Sequence, residues 1–163
     1  KEIQPDSERA ALREAQNKAL HLCNTGMAVA IDIGDANDIH PKNKQEVGRR
    51  LSLLALQKTY GKGKVTDIMS YKDYVVENDK VRLIFEGNTK GFQPSDLLTG
   101  FTIAGADHVF YPAKAQIKGN ELLVWSPDVS NPVAVRYGWA DNPDCNLYDR
   151  TGFPVAPFRT DCW

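Results

Sequence analysis

The chain has 163 residues, of which 20 are Lys or Arg and 21 are Asp or Glu, so its formal net charge is −1. Hydrophobic residues make up 42% of the sequence and charged residues 25%, which allows a buried core and argues against a disordered chain. The balanced charge argues against a nucleic-acid partner. No apolar run approaches the roughly 20 residues of a membrane span, so we expect no membrane partner either. The length predicts one domain or two small ones.

The first predicted element is a helix over residues 8–22, which Asp6 or Ser7 can cap. Its apolar positions form a single stripe, made of Leu12, Ala15, Ala19 and Leu22. Residues 27–33 follow and are apolar on both faces, which is typical of a strand that helices cover on each side. This part of the chain therefore predicts a helix followed by a buried strand.

A second helix is predicted over residues 44–59, where Asn43 and Glu46 match a capping box. Four apolar residues mark its inner face: Val47, Leu51, Leu54 and Ala55. Four basic residues are interpreted as a solvated helix face: Lys42, Lys44, Arg49 and Arg50. Helix–strand–helix is the building unit of an open α/β sheet. A single strand has no sheet to join. Either this segment packs in an unusual way on the rest of the chain, or the other strands of its sheet lie on sequence outside this chain. We favour the second alternative.

Beyond Lys64 the sequence changes to short alternating segments that are rich in Val, Ile, Tyr and Phe and bounded by turn residues. These segments predict three hairpins, one further strand and a loop-like tail, over residues 74–85, 100–111, 113–125, 133–139 and 140–163. Several short strands at this spacing are typical of an antiparallel sandwich or barrel. We therefore divide the chain into an α/β segment, residues 1–64, and a β-rich domain, residues 65–163.

The candidate catalytic residue is His40, in the loop between the predicted strand and the second helix, with Asp35 and Asp38 just before it. In open α/β sheets, sites form at the carboxyl ends of strands. A histidine can take a proton from a hydroxyl nucleophile, and a carboxylate on its other nitrogen fixes the tautomer and stabilises the imidazolium. The alternative is that His40 packs at the start of the helix and both aspartates are ordinary loop residues.

The three cysteines are Cys23, Cys145 and Cys162, and their spacing is not that of a zinc site. Cys145 and Cys162 lie in the same loop-rich tail, where a disulfide between them and two free thiols are both open. No serine or cysteine nucleophile motif accompanies His40. The sequence therefore indicates part of an enzyme rather than a whole one.

Several motifs occur in a familiar order: IDIGD at 31–35, DIHPKNK at 38–44, VGRRL at 47–51, GFTIAGA at 100–106, NPVAVRY at 131–137 and WADNP at 139–143. In these motifs the chain resembles the sialate O-acetylesterase family, which are SGNH-type hydrolases. The resemblance runs from about Leu12 to the end of the chain. Several motifs in one order are far more specific than a single histidine motif.

The resemblance implies an esterase domain with a flavodoxin-like α/β/α sheet. In that family the serine nucleophile, and the glycine and asparagine that help to bind the oxyanion, lie upstream of the histidine motif, and none of these motifs is present here. Residues 1–64 are then the last helix–strand–helix of the esterase domain, and residues 65–163 a β-sandwich-like domain. The missing N-terminal part is implied as a partner, either as upstream sequence or as the second chain of a processed enzyme.

The implied reaction is hydrolysis of an O-acetyl ester on a sugar, sialic acid or a related one, by a Ser–His(–Asp) mechanism. It uses neither a metal ion nor an organic cofactor, and the implied location is secreted or periplasmic. The family usually carries the triad aspartate three residues before the histidine, where this chain has Asn37. We prefer Asp35 for that role and take Asp38 second, and a Ser–His dyad oriented by a backbone carbonyl is the third option.

A function of another class is a β-sandwich module that binds carbohydrate or another partner, with the helical front end as a linker. Four aromatic residues could line a sugar surface in such a module or pack in the core: Trp125, Tyr137, Trp139 and Trp163.

Overall fold

The computed structural model describes residues 3–62, 68–87 and 90–163. Two α-helices precede the strands, α1 (Glu8–Lys18) and α2 (Lys44–Lys58), and a short 3₁₀ helix, Ala19–His21, follows α1. The described strands are β1 (Ser70–Glu77), β2 (Lys80–Glu86), β3 (Phe101–Ala104), β4 (Phe110–Pro112), β5 (Lys114–Lys118), β6 (Glu121–Trp125), β7 (Ala134–Tyr137) and β8 (Phe158–Arg159). In this part of the chain neither helix has the length and apolar character that crossing a bilayer requires.

The strands form two antiparallel four-stranded sheets, ordered β1-β2-β6-β5 and β4-β3-β7-β8. The three predicted hairpins are confirmed as β1–β2, β3–β4 and β5–β6. Asn78 and Gly119 occupy the two-residue turns of the first and third hairpins with φ of 55° and 65°, the left-handed region that such turns require. The predicted strand over 133–139 is β7, and the tail contributes β8, a two-residue strand that the sequence pattern did not predict.

The core lies between the two sheets. On β2, Val81, Leu83 and Phe85 are buried while the residues between them are half-buried, the alternation of a strand with one face on a core. Residues of both sheets join in one apolar cluster that includes Ile103 and Val135. Each side chain removed from water this completely contributes about 1.5–3 kcal/mol. The β-rich, antiparallel character predicted for this part of the chain is thus confirmed.

Both helices begin where the sequence predicts. The Ser7 hydroxyl caps α1 by accepting from the N–H of Ala10, and the Asn43 side chain caps α2 by accepting from the N–H of Glu46. The α-helix predicted over residues 8–22 ends earlier, at Lys18, and continues as the short 3₁₀ turn.

The predicted strand over residues 27–33 is wrong for this chain, because these residues form no ladder with any part of the chain that the structure describes. They run half-buried between α1 and α2. A parallel strand exists only beside another strand of its sheet, and neither β sheet reaches this segment. The described residues accordingly form no part of a flavodoxin-like sheet, whose other strands the prediction places on sequence outside this chain. The predicted boundary between residues 64 and 65 lies outside the described residues.

The stripes predicted as inner faces are largely exposed. Leu12 on α1 is 59% exposed, Leu22 just after it 67%, and Leu51 on α2 49%. The other members of the α1 stripe, Ala15 and Ala19, are exposed as well. Among the apolar residues predicted for the inner face of α2, Leu54 is buried, Val47 is half-buried and Ala55 is exposed. The two helices and the residue after the 3₁₀ helix thus present apolar side chains to solvent. We call Leu12, Leu22 and Leu51 together the open face.

The opposite side of α1 is polar and joins the helix to the loops of the β-rich region. The Ser7 hydroxyl donates to Asp141 Oδ1 at 2.7 Å, and the Arg13 guanidinium donates to the carbonyl oxygens of Gly138 and Ala140. Glu14 accepts two hydrogen bonds from Arg159, at 2.9 and 3.1 Å. The helix therefore contacts the β-rich region through hydrogen bonds and an ion pair, and leaves its apolar stripe open.

Candidate active site

The loop that carries His40, residues 33–43, is built from two successive turns. Asp35 Oδ1 accepts from the N–H of Asn37 at 3.0 Å, and Asp38 Oδ1 accepts from the N–H of His40 at 2.9 Å. Aspartate side chains that bond the backbone two residues ahead are characteristic of such turns. The backbone is further drawn together by a hydrogen bond from Asp38 N–H to the carbonyl of Asp35. The loop is thus folded rather than extended.

His40 and Asp38 form a side-chain pair. His40 Nδ1 lies 2.9 Å from Asp38 Oδ1, the same oxygen that accepts from the His40 N–H. This arrangement favours the tautomer with the proton on Nδ1, which leaves Nε2 as a proton acceptor. The backbone N–H of His40, and then its ring, lower the pKa of Asp38, so that this carboxylate stays ionised. Orientation of the imidazole by Asp38 is what a histidine base requires.

Asp35, the preferred orienting residue in the sequence analysis, lies elsewhere. Its carboxylate accepts from Asn37 and lies 3.5 Å from Lys42 Nζ, and among the described residues it makes no hydrogen bond to the imidazole. The preference assumed that Asp35 could curl back to the ring, but its oxygens are engaged inside the first turn. The second turn brings Asp38, the second choice, to Nδ1.

The pair is open to solvent: the side chain of His40 is 75% exposed and that of Asp38 45%. In the described part of the chain no serine or cysteine hydrogen-bonds to the imidazole. All three cysteines are free, so the disulfide considered for Cys145 and Cys162 is not formed. No group of three or more metal-ligating side chains occurs in residues 3–62, 68–87 and 90–163. The described residues therefore hold an oriented imidazole, with no serine or cysteine hydrogen-bonded to it.

The backbone just before the loop is held by a buried ion pair that the sequence pattern did not predict. Arg50, interpreted there as solvated, is 3% exposed, and both its terminal nitrogens donate to the Asp32 carboxylate at 2.7 Å. Its Nη1 also donates to the carbonyl of Val29 at 2.6 Å, and its Nε to Glu46 Oε1 at 2.8 Å. The Tyr148 hydroxyl donates to Asp32 Oδ2 at 3.2 Å. The signal in the sequence was periodicity, since position 50 falls on the same helical stripe as 47 and 54.

The electrostatics of this cluster keep it ionised. Burial acts to raise the pKa of Asp32, but the hydrogen bonds and charge of Arg50 prevail and lower it. Hydrogen bonds from Arg49, and then from Arg50, lower the pKa of Glu46 to about 2. The hydrogen bonds that Arg50 donates to Asp32 raise the pKa of Arg50 further above its already high value. The pair therefore stays charged across the physiological pH range.

A cleft of about 330 Å³ runs beside this cluster, between α1, residues 27–31 and the loop at 141–143. Its walls include Met27, Val29 and Ile31, the apolar residues that the sequence assigns to a strand. His40 is not among the lining residues. The cleft thus lies along residues 27–31 rather than at the candidate base.

The aromatic residues do not form a common surface. Tyr137 and Trp139 are buried, as the core interpretation expected. Trp125 is half-buried beneath the ammonium of Lys80, which lies 5.3 Å from the ring centroid, and Trp163 stacks on His108 with ring centroids 3.9 Å apart. This dispersal, and the polar anchoring of α1, disfavour a sugar-binding module with a helical linker.

The chain is similar over almost its whole length to the crystal structure of XAC1771, described as a novel carbohydrate acetylesterase from Xanthomonas citri. The match has a TM-score of 0.94 and 46% sequence identity and covers 99% of this chain. The chain spans only 38% of the length of that protein. No protein-family model and no curated protein matches this sequence. The match supports a relationship to carbohydrate esterases in general, without singling out sialate esterases or the SGNH type.

Proposed function

We propose that this chain carries the catalytic base of a carbohydrate O-acetylesterase, with His40 as the base and Asp38 as the residue that orients it. The observation that carries the proposal is the contact of 2.9 Å between His40 Nδ1 and Asp38 Oδ1, in a chain 46% identical to the matching part of a carbohydrate acetylesterase. An O-acetylated sialic acid or a related acetylated sugar is the proposed substrate. A secreted or periplasmic location belongs to the same proposal, and fractionation of the producing cells tests it.

The proposed reaction is acyl transfer in two steps. A serine hydroxyl attacks the acetyl carbonyl while His40 Nε2 takes the hydroxyl proton, and the imidazolium then returns that proton to the oxygen of the leaving sugar. Water attacks the acetyl-serine in the second step, with His40 again as base, and releases acetate and the free serine. Asp38 holds Nδ1–H throughout and stabilises the imidazolium. This scheme uses neither a metal ion nor an organic cofactor.

The nucleophile is proposed to lie on the remaining part of the esterase, as upstream sequence or as a second chain. Three features support this. The chain spans 38% of the length of XAC1771, the His40 side chain is 75% exposed, and the helices present the open face to solvent. In this proposal the missing part completes a flavodoxin-like α/β/α sheet of the SGNH type, in which residues 27–33 form a strand. The chain alone is then inactive.

The test is acetate release from an acetylated sugar by the assembled enzyme, meaning this chain together with the missing part. His40→Ala is expected to lower kcat by about a hundredfold or more, since removal of a general base typically costs that much. His21→Ala is the matched control, because His21 is an exposed histidine of the same segment and lies at the end of the short 3₁₀ helix. A loss of only a few-fold for His40→Ala, or equal losses for both variants, would overturn the proposed role.

A further inference from the structure

The two ends of the His40 loop are joined by one side chain. Asp32 and Val29 lie just before the loop, and Arg50 lies on the helix that begins just after it. Four hydrogen bonds from the guanidinium reach Asp32, Val29 and Glu46 at 2.6–2.8 Å. The fork binds both oxygens of Asp32, a planar, bidentate geometry that a lysine ammonium does not reproduce. The entry and exit of the loop are therefore fixed relative to each other.

The β-rich region contributes to the same cluster through Tyr148. Its hydroxyl donates to Asp32 Oδ2, the oxygen that Arg50 Nη2 also binds. Tyr148 is itself held in place, because its neighbour Leu147 is buried and donates its N–H to the hydroxyl of Tyr137 at 2.8 Å. The core of the β-rich region is thus connected to Asp32, just before the loop, through two hydrogen bonds and the peptide bond between Leu147 and Tyr148.

We propose that Arg50 is a positioning residue, which together with Tyr148 holds Asp32 and so fixes the loop that presents His40 to substrate. This inference rests on the proposed role of His40. It assigns to the β-rich region a part in catalysis, since Tyr148 links that region to the loop. The fork is not required to neutralise the charge of Arg50, because Glu46 already supplies a carboxylate on the same helix. What the pair with Asp32 adds is a cross-link between two segments.

The chain contains a matched control for the burial and geometry of this pair. Arg136 is also buried and forms the same kind of fork, to Asp161 at 2.7 and 2.8 Å, and it likewise donates to a backbone carbonyl, that of Pro5. This second fork ties the N-terminal segment to β7 and the tail rather than to the His40 loop. Replacing either arginine by lysine removes one buried fork and keeps the charge, so both variants are expected to lower Tm.

The experiment compares Arg50→Lys and Arg136→Lys in the assembled enzyme. Arg50→Lys is expected to lower kcat by about tenfold or more, because displacement of a catalytic group by about 1 Å costs up to a hundredfold, while KM changes by less than about twofold. Arg136→Lys is expected to leave both constants near those of the parent enzyme. NMR of protein with ¹⁵N-labelled histidine follows the His40 ring directly. We expect its Nδ1-protonated form to give way to a mixture of tautomers in Arg50→Lys only.

If Arg50→Lys does not fold, Tyr148→Phe tests the inference instead, since it removes the hydroxyl that binds Asp32 and keeps the ring. Its expected effect is a few-fold loss of kcat and a shift of the His40 ring resonances. Parental kcat and an unchanged His40 spectrum in the folded variant, or equal changes in Arg136→Lys, overturn the inference. Failure of the proposed function is recognised separately, because it appears as full activity in His40→Ala, whereas the NMR spectrum reports the position of the ring without any turnover.

Discussion

The open face offers a quantitative test of the proposal that a further part of the enzyme covers this chain. Leu12, Leu22 and Leu51 are 59%, 67% and 49% exposed. Each Leu→Ala change removes three carbon atoms, worth about 0.8 kcal/mol apiece when buried. On average a little over half of the three residues remains to be covered, so the triple variant is expected to cost the assembled enzyme about 4 kcal/mol of unfolding free energy. In the isolated chain the same changes are expected to stay within about 0.5 kcal/mol per site, as surface substitutions do.

The assay is urea unfolding of both preparations, with acetate release as a second readout of assembly. Leu97 and Val109 provide the control, since they are 73% and 49% exposed but belong to the β-rich region. Their alanine variants are expected to have the same small effect in the isolated chain and in the assembled enzyme. Equal losses for the open-face variant in the two preparations would refute the reasoning, because they would mean that no further part of the enzyme covers this surface.

Two other predictions concern the site and the fold. Asp38→Asn is expected to lower kcat of the assembled enzyme by about a hundredfold or more, since the charge that supports the imidazolium is lost. Asp35→Asn is expected to lower kcat by less than about tenfold. Acetate release measures both variants, and a larger loss for Asp35→Asn would contradict the assignment of Asp38. Gly100→Ala is expected to destabilise the isolated chain by about 2–4 kcal/mol, because its φ is +88° and an added Cβ would lie 2.7 Å from that of Cys145. Gly119 has φ +65° but open space around it, so Gly119→Ala is expected to lower the free energy of unfolding by about 1–2 kcal/mol. Equal losses for the two variants in urea unfolding would show that the close contact at Gly100 has no energetic effect.

The β-rich region could be predicted from the sequence because its signals are local. Alternating apolar residues mark the strands, and short turns such as those at Asn78 and Gly119 fix which strands pair. The helix starts at Ser7 and Asn43 are equally local, since each cap satisfies the N–H group three residues ahead. β8 escaped prediction because two residues are too few to show an alternating pattern.

The conformation of residues 27–33 could not be predicted from their own composition, because a strand also needs a neighbouring strand to pair with. An apolar run indicates burial on both faces, but hydrogen bonds to a neighbouring strand are what make such a run a strand. Here its backbone is held by other means, including the hydrogen bond from Arg50 to the carbonyl of Val29. The open face could not be predicted for a similar reason, since an apolar stripe does not specify which part of the protein packs on it.

The candidate site divides in the same way between local and non-local causes. The pairing of His40 with Asp38 is local, since one turn brings the carboxylate to both the backbone and the ring nitrogen of His40. If the loop is treated as two turns rather than as an extended chain, the sequence predicts Asp38 rather than Asp35 as the partner. Catalysis needs more than orientation. A charge pair in water is weakened by the high dielectric constant, and the strong electrostatic effects of active sites require exclusion of water. The side chain of His40 is 75% exposed, so this chain supplies its orientation, and the proposed role as base also requires that the missing part covers the loop and excludes water.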